Sequence, residues 1–168
     1  MHALCRFFLN HVSPTHEMGD RRMLAFLVEM SSLFEMFAGA WIGQHLPSRL
    51  ELRTQHSVPL DEGGKLRFRI DLVICDAETG RPLMVLDTKY KAPTSPSSED
   101  IQQVVAYAES LGCEEAALVY PTDLEYPVST RVGRIRVRTL TFDLYGEIDE
   151  NGRRFLAFTA LGRPAFAI

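Results

Sequence analysis

The stretch PLMVLDTKYK, residues 82–91, opens on an apolar run from Leu83 to Leu86 and closes on Asp87, Lys89 and Lys91. It is bounded by the turn signal AETGRP before it and the Pro/Ser segment APTSPSS after it, so it has the length and flanks of a strand. Side chains alternate along a strand, which puts Val85, Asp87 and Lys89 on one face and Met84, Leu86 and Thr88 on the other. The apolar run also predicts that Asp87 has its backbone in the buried middle of a sheet, where an unpartnered carboxylate is expensive.

Working outward, KLRFRIDLVIC alternates Leu66, Phe68, Ile70, Leu72 and Ile74 with Arg67, Arg69 and Asp71. This period of two reads as a second strand, joined through the turn DEGG to an earlier one in SRLELRTQHSV. Before these strands, residues from Asp20 to about Gln44 carry Leu27, Met30, Phe34, Phe37 and Trp41 at helical spacing, with Asp20 as the expected N-cap. After the Pro/Ser segment, EDIQQVVAYAESLG makes a helical stripe of Ile101, Val104, Val105, Ala108 and Leu111, closed by Gly112. EAALVYP then reads as a short central strand, and TRVGRIRVRTLTFDLYG as a strand or hairpin with one exposed face. The expected order is helix, three strands, helix, strand, strand, which is an α/β domain.

The 168 residues, 46% hydrophobic and 24% charged, suit one domain with its own core and leave no room for a second. A formal net charge of -4 means that any nucleic acid must be met by a local patch or through a partner. Cys5, Cys75 and Cys113 are odd in number and widely spaced, which argues against a disulfide framework and for a reducing, cytoplasmic setting. MHALCRFFLN is broken by Arg6 and lacks a sustained apolar run, so it does not read as a secretory signal, and the longest apolar stretch is interrupted by Glu29, Ser31, Ser32 and Glu35, which is wrong for a membrane span. The five histidines lack zinc-site spacing, and no GxSxG, Walker or GxGxxG motif occurs.

Asp71 and Asp87 fall on adjacent predicted strands, and two carboxylates on one sheet face suit a hard divalent cation. A cation held there polarises a phosphodiester and lowers the pKa of an attacking water. Lys89, on the same face as Asp87, is placed to hold that water or the developing negative charge. The competing reading is that all three are solvated strand-end charges. Glu35, inside the most apolar helix, is either a rim residue or a third carboxylate of the cluster. Asp100, Gln103 and Tyr107 share a face of the later helix away from its apolar stripe, so Gln103 is either an ordinary solvated residue or a supporting site residue. Arg131, Arg134, Arg136 and Arg138 are either contacts to a DNA backbone or the solvated face of an edge strand; Lys91, Arg134 and Arg136 are the candidate DNA contacts.

With these residues in hand, the stretches FLVEMSSLFEMF, RIDLVI, LDTKYK, DIQQVVAYA and ALVYP, in this order over roughly residues 22 to 121, resemble the McrC-like endonuclease components of the 5-methylcytosine-specific restriction system, within the PD-(D/E)XK nuclease superfamily. The resemblance implies a restriction-endonuclease-like core, a mixed central β-sheet flanked by helices, over a single domain of residues 1–168. It implies that Asp71 and Asp87 bind a catalytic Mg²⁺, for which Mn²⁺ can substitute, that Glu35 completes the acidic site, that Lys89 assists the nucleophilic water, and that Gln103 orients it. Ile70 stands where the family usually has proline; either residue fits an extended strand. Relatives of this kind cut DNA together with a hexameric McrB-like AAA+ GTPase, and a homodimer on DNA is the expected way to cut both strands. Because such proteins carry a substantial N-terminal region that engages the GTPase, residues 1–19 are expected to be the tail of a missing one. The alternative from another class is a non-catalytic module that keeps the nuclease fold for assembly or DNA binding.

Overall fold

The structure is a computed structural model that describes Arg6, residues 29–91 and residues 93–159. Among residues 29–159, the described residues form three helices and six strands in the order α1 (Met30–His45), β1 (Leu50–Pro59), β2 (Arg67–Asp76), β3 (Pro82–Thr88), α2 (Ser98–Leu111), β4 (Glu115–Tyr120), β5 (Ser129–Val132), β6 (Ile135–Thr141) and α3 (Ile148–Phe158). They build one mixed sheet in the order β1-β2-β3-β4-β6-β5. β1, β2 and β3 form an antiparallel meander, β4 runs parallel to β3 and to β6, and β5 closes the far edge as an antiparallel hairpin with β6. The parallel step from β3 to β4 needs a crossover, and α2 supplies it.

Each face of the sheet is covered. On one, Phe34, Phe37 and Trp41 of α1 and Phe155 of α3 pack on Leu72, Met84, Leu86 and Phe142. On the other, Val104, Tyr107 and Ala108 of α2 pack on Val73, Val85, Leu118 and Val137. β3 and β4 sit in the middle of this sandwich, which is why Met84 to Asp87 and Ala116 to Tyr120 are all buried.

Three expectations change. The helix expected from Asp20 begins, among the described residues, at Met30 with Glu29 in an extended conformation as its N-cap; Asp20 and Leu27 lie outside the described residues. The arginine-bearing segment forms a hairpin, one of its two expected forms, but its arginines divide: Arg131 lies on the exposed edge strand β5, whereas Arg136 and Arg138 lie on the inner strand β6. The third correction is α3, a helix where none was expected. Its Asn151-Gly152 pair reads as a turn signal, but Gly152 is where α3 meets α1: a Cβ there would lie 2.3 Å from two ring atoms of Trp41. Trp41 Nε1 also donates a 3.0 Å hydrogen bond to Asp149 Oδ1 one turn earlier, so α3 is docked by an indole rather than specified by its own helix propensity.

Candidate active site

The site lies where β2 and β3 part. Their antiparallel ladder runs Ile74↔Met84, Val73↔Val85, Leu72↔Leu86 and then stops, so the next residue on each strand, Asp71 and Asp87, faces the opening. The Thr88 amide and hydroxyl both donate to Asp71 Oδ2, each at 2.8 Å, so a carboxylate accepts where a backbone carbonyl of the ladder would have. β3 meanwhile stays on β4, through the registers Asp87↔Leu118 and Thr88↔Val119 and a 2.8 Å bond from the Lys89 amide to the Val119 carbonyl.

The parting has a cause in β1. Thr54 pairs with Leu72 and His56 with Ile70, but Gln55, which would oppose Asp71, is skipped and adopts φ +51°. Among the described residues it is the one non-glycine residue in the left-handed region. Ile70 packs on the α2 side of the sheet while Leu72, two residues on, packs on the α1 side. Residues two apart in a regular strand share a face, so β2 rotates about Asp71.

Asp87 is only 2% exposed. Lys89 Nζ stands 2.7 Å from its Oδ2, within ion-pair and hydrogen-bond distance. The contact compensates the buried charge of Asp87. Lys89 Nζ also donates to Gln103 Oε1 at 2.9 Å and lies 3.6 Å from Asp100 Oδ1. Gln103 is itself fixed, since its Nε2 donates to the Tyr107 hydroxyl at 2.7 Å, and Tyr107 is wedged edge-on against Phe68. The lysine is therefore held from three sides by β3 and α2.

Asp100 carries two loads. Its carboxylate closes a capping box with Ser97 at the start of α2 and takes a 2.5 Å bond from Lys91 Nζ. The hydrogen bonds from Lys91 and Ser97 and the nearby Lys89 charge outweigh its burial and hold its pKa below the usual carboxylate range.

The other two acids move upward. Burial, then the Asp71 charge and more weakly Asp87, push Glu35 to about 7, although the nearby Arg69 guanidinium pulls it back. Burial raises Asp87 to about 6 against the opposing pull of Lys89, with Asp71 and Asp100 adding to the rise. For Lys89, burial alone would lower the pKa, but Asp87, Asp100 and Asp71 keep it raised. Acids with raised folded pKa values bind protons more tightly folded than unfolded, so their stabilising contribution is complete below pH 4 and is lost as pH rises through 6 to 7. Asp100 has the opposite sign, but its window lies below its ordinary value of 3.8. The metal-free chain is therefore expected to lose thermal stability between about pH 4.5 and pH 7. A scan of Tm against pH in EDTA checks this, and a Tm rising across that window would contradict it.

Glu35, Asp71, Asp87, Lys89 and Gln103 thus gather at one end of the β2–β3 junction, drawn from α1, β2, β3 and α2. The weaker candidates do not join them in the same way. Lys91 is nearby but paired with Asp100; Arg134 pairs with Glu109 at 2.6 Å and Arg136 with Glu115 at 3.5 Å. Glu115 is level with Met84, at the opposite end of β3 from Asp87, so these two arginines are remote from the acids. The face of α2 read as solvated is a further correction: Asp100 and Tyr107 are buried, and only Gln103 between them is exposed. Thr88, Asp100 and Tyr107 were missed as site residues. The spacing Ser97-x-x-Asp100 was a legible signal, since it is a capping box.

No three His, Cys, Asp or Glu side chains among the described residues are arranged to hold a metal ion. Lys89 and Thr88 occupy Asp87 and Asp71 instead. The donor set nevertheless fits a hard cation: it is all oxygen, and it brings together two acids whose ionised forms are disfavoured by burial and by the neighbouring Asp71 charge, a cost that a bound cation would relieve. No described helix is long and apolar enough to cross a membrane.

Comparison with known proteins extends these observations. A family model described as "McrBC 5-methylcytosine restriction system component" matches residues 1–121. Among solved structures, a chain of the assembly of Thermococcus gammatolerans McrB AAA+ hexamers with bound McrC is similar over 80% of this chain, with a TM-score of 0.61 and 18% sequence identity. That likeness is one of fold, and the chain spans about a third, 34%, of the length of the chain it matches. No curated protein matches.

Proposed function

We propose, from the premise that the chain belongs to the McrBC 5-methylcytosine restriction system component family, that it is a Mg²⁺-dependent endodeoxyribonuclease domain with a restriction-endonuclease-like core. The observation that carries the reading is Asp87: a carboxylate buried in the middle of a sheet, held by an ion pair with Lys89 and set beside Asp71, its pKa raised to about 6 in spite of that pair. A structural ion pair gives no reason to crowd two more acids, Asp71 and Glu35, next to it.

Asp71, Asp87 and Glu35 would hold the cation, which when bound polarises the scissile phosphate and acidifies a water. Thr88 fixes Asp71 through two hydrogen bonds, so its free oxygen has a defined direction. Lys89 is kept cationic by Asp87, Asp100 and Asp71 and is oriented by Gln103, which suits it to steady the attacking water and the charge that develops on the phosphate. The substrate is DNA. The partner is a McrB-like AAA+ GTPase, supported by the family and by the similar assembly, which holds McrB AAA+ hexamers with bound McrC, and two copies would cut the two strands.

Calorimetric titration with Mn²⁺ separates this from a non-catalytic module of the same fold. The parent is expected to bind Mn²⁺, and Asp71→Asn to bind it at least about tenfold more weakly. A parent that takes up no Mn²⁺ would leave the scaffold reading standing.

A further inference from the structure

The skipped residue Gln55 does more than let Asp71 turn. Its side-chain carbonyl lies against Arg69 Nε, so the distortion of β1 brings an acceptor to an arginine on the neighbouring strand. Arg69 is exposed and close enough to Glu35 for its charge to act on that carboxyl. No carboxylate among the described residues lies within 4 Å of the Arg69 guanidinium, so its charge is not neutralised by an ion pair. With Nε engaged by Gln55, the two Nη groups keep four donors in one plane, the geometry that matches two oxygens of a phosphate. Such a cation also suits its surroundings: Lys89 is taken up by Asp87 and Lys91 by Asp100, so a polyanion approaching Glu35 and Asp71 gains from a fixed positive group at the rim.

We propose that Gln55 and Arg69 form a phosphate clamp at the edge of the acidic centre, which takes a backbone phosphate of the DNA strand next to the one being cut. Gln55 is a positioning residue that sets the plane of the guanidinium; Arg69 makes the contact. The inference rests on the nuclease reading for the identity of the anion, and backbone strain at a non-glycine residue beside a site is consistent with a residue retained for its side chain.

The test is fluorescence anisotropy of a short labelled DNA duplex with the 168-residue chain in EDTA, over a series of salt concentrations. Arg69→Gln is expected to weaken binding by roughly tenfold and to flatten the salt dependence by about one phosphate contact. Arg69→Lys, which keeps the charge and loses the fork, should fall between. Gln55→Gly distinguishes a clamp from a merely structural pair, because glycine adopts positive φ freely. It should keep or raise Tm yet weaken duplex binding, while Arg154→Gln, on an exposed face of α3, should leave both unchanged. Parent-like affinity and salt slope in Arg69→Gln, a fall in Tm without loss of binding in Gln55→Gly, or no duplex binding by the parent would each overturn the clamp. Failure of the nuclease reading is distinct: a parent that binds duplex through Arg69 but cleaves nothing with Mg²⁺ or Mn²⁺ keeps the clamp and loses the chemistry.

Discussion

Asp87→Asn is expected to reduce Mg²⁺-dependent DNA cleavage by more than about 100-fold, the loss that changes around a metal ligand already reach, while leaving Tm at neutral pH no lower than the parent's. The two halves of this result have one cause. Burial raises the Asp87 pKa to about 6, so above that pH the folded chain bears the cost of an ionised carboxylate in the sheet interior. A neutral side chain of the same shape removes that cost. Lys89 would not be stranded, because Gln103 at 2.9 Å and Asp100 at 3.6 Å still face it. Initial rates on plasmid DNA, together with thermal melts of the same preparations, check both halves. Parent-like cleavage would remove Asp87 from the chemistry, and a large fall in Tm would make it a structural residue.

The second large effect concerns folding. Gly152→Ala is expected to destabilise the chain by about 2 kcal/mol, a fall of roughly 4–8 °C in Tm. Two terms compete. Alanine at a helix interior is worth about 1 kcal/mol over glycine, whereas the added Cβ would lie 2.3, 2.3 and 2.6 Å from three atoms of the Trp41 ring. Such distances require movement of an indole that is wedged against Phe142 at 5.2 Å and stacked on His45 at 3.8 Å, so the overpacking term, about 1–3 kcal/mol and here at its upper end, wins. Thermal melts of parent and variant decide it; an unchanged or raised Tm would show that α3 yields without cost.

What the sequence made legible follows from how local each signal is. The strands around PLMVLDTKYK and the helix of EDIQQVVAYAESLG declare themselves through period and flanking turns, and the structure has them within a few residues. The grouping of Glu35 with Asp71 and Asp87 was legible as an oddity, an acid inside an apolar helix, and its meaning depended on a tertiary contact between α1 and β2. α3 was not legible because its docking depends on Trp41, more than a hundred residues away, and its local wording Asn151-Gly152 points to a turn. The exposure of α2 was misjudged for a related reason: Tyr107 is amphipathic, and its ring is buried against Phe68 while its hydroxyl reaches Gln103. Nothing in the sequence marked Gln55, whose role comes from a skipped place in a strand ladder.

The account stands most directly on one measurement: incubation of supercoiled plasmid with the 168-residue chain and Mg²⁺ or Mn²⁺, with and without a McrB-like GTPase, and with EDTA as control. Nicked or linear product that depends on the metal and disappears with EDTA is the predicted result. Plasmid left intact with both metals, partner and GTP present, would contradict it.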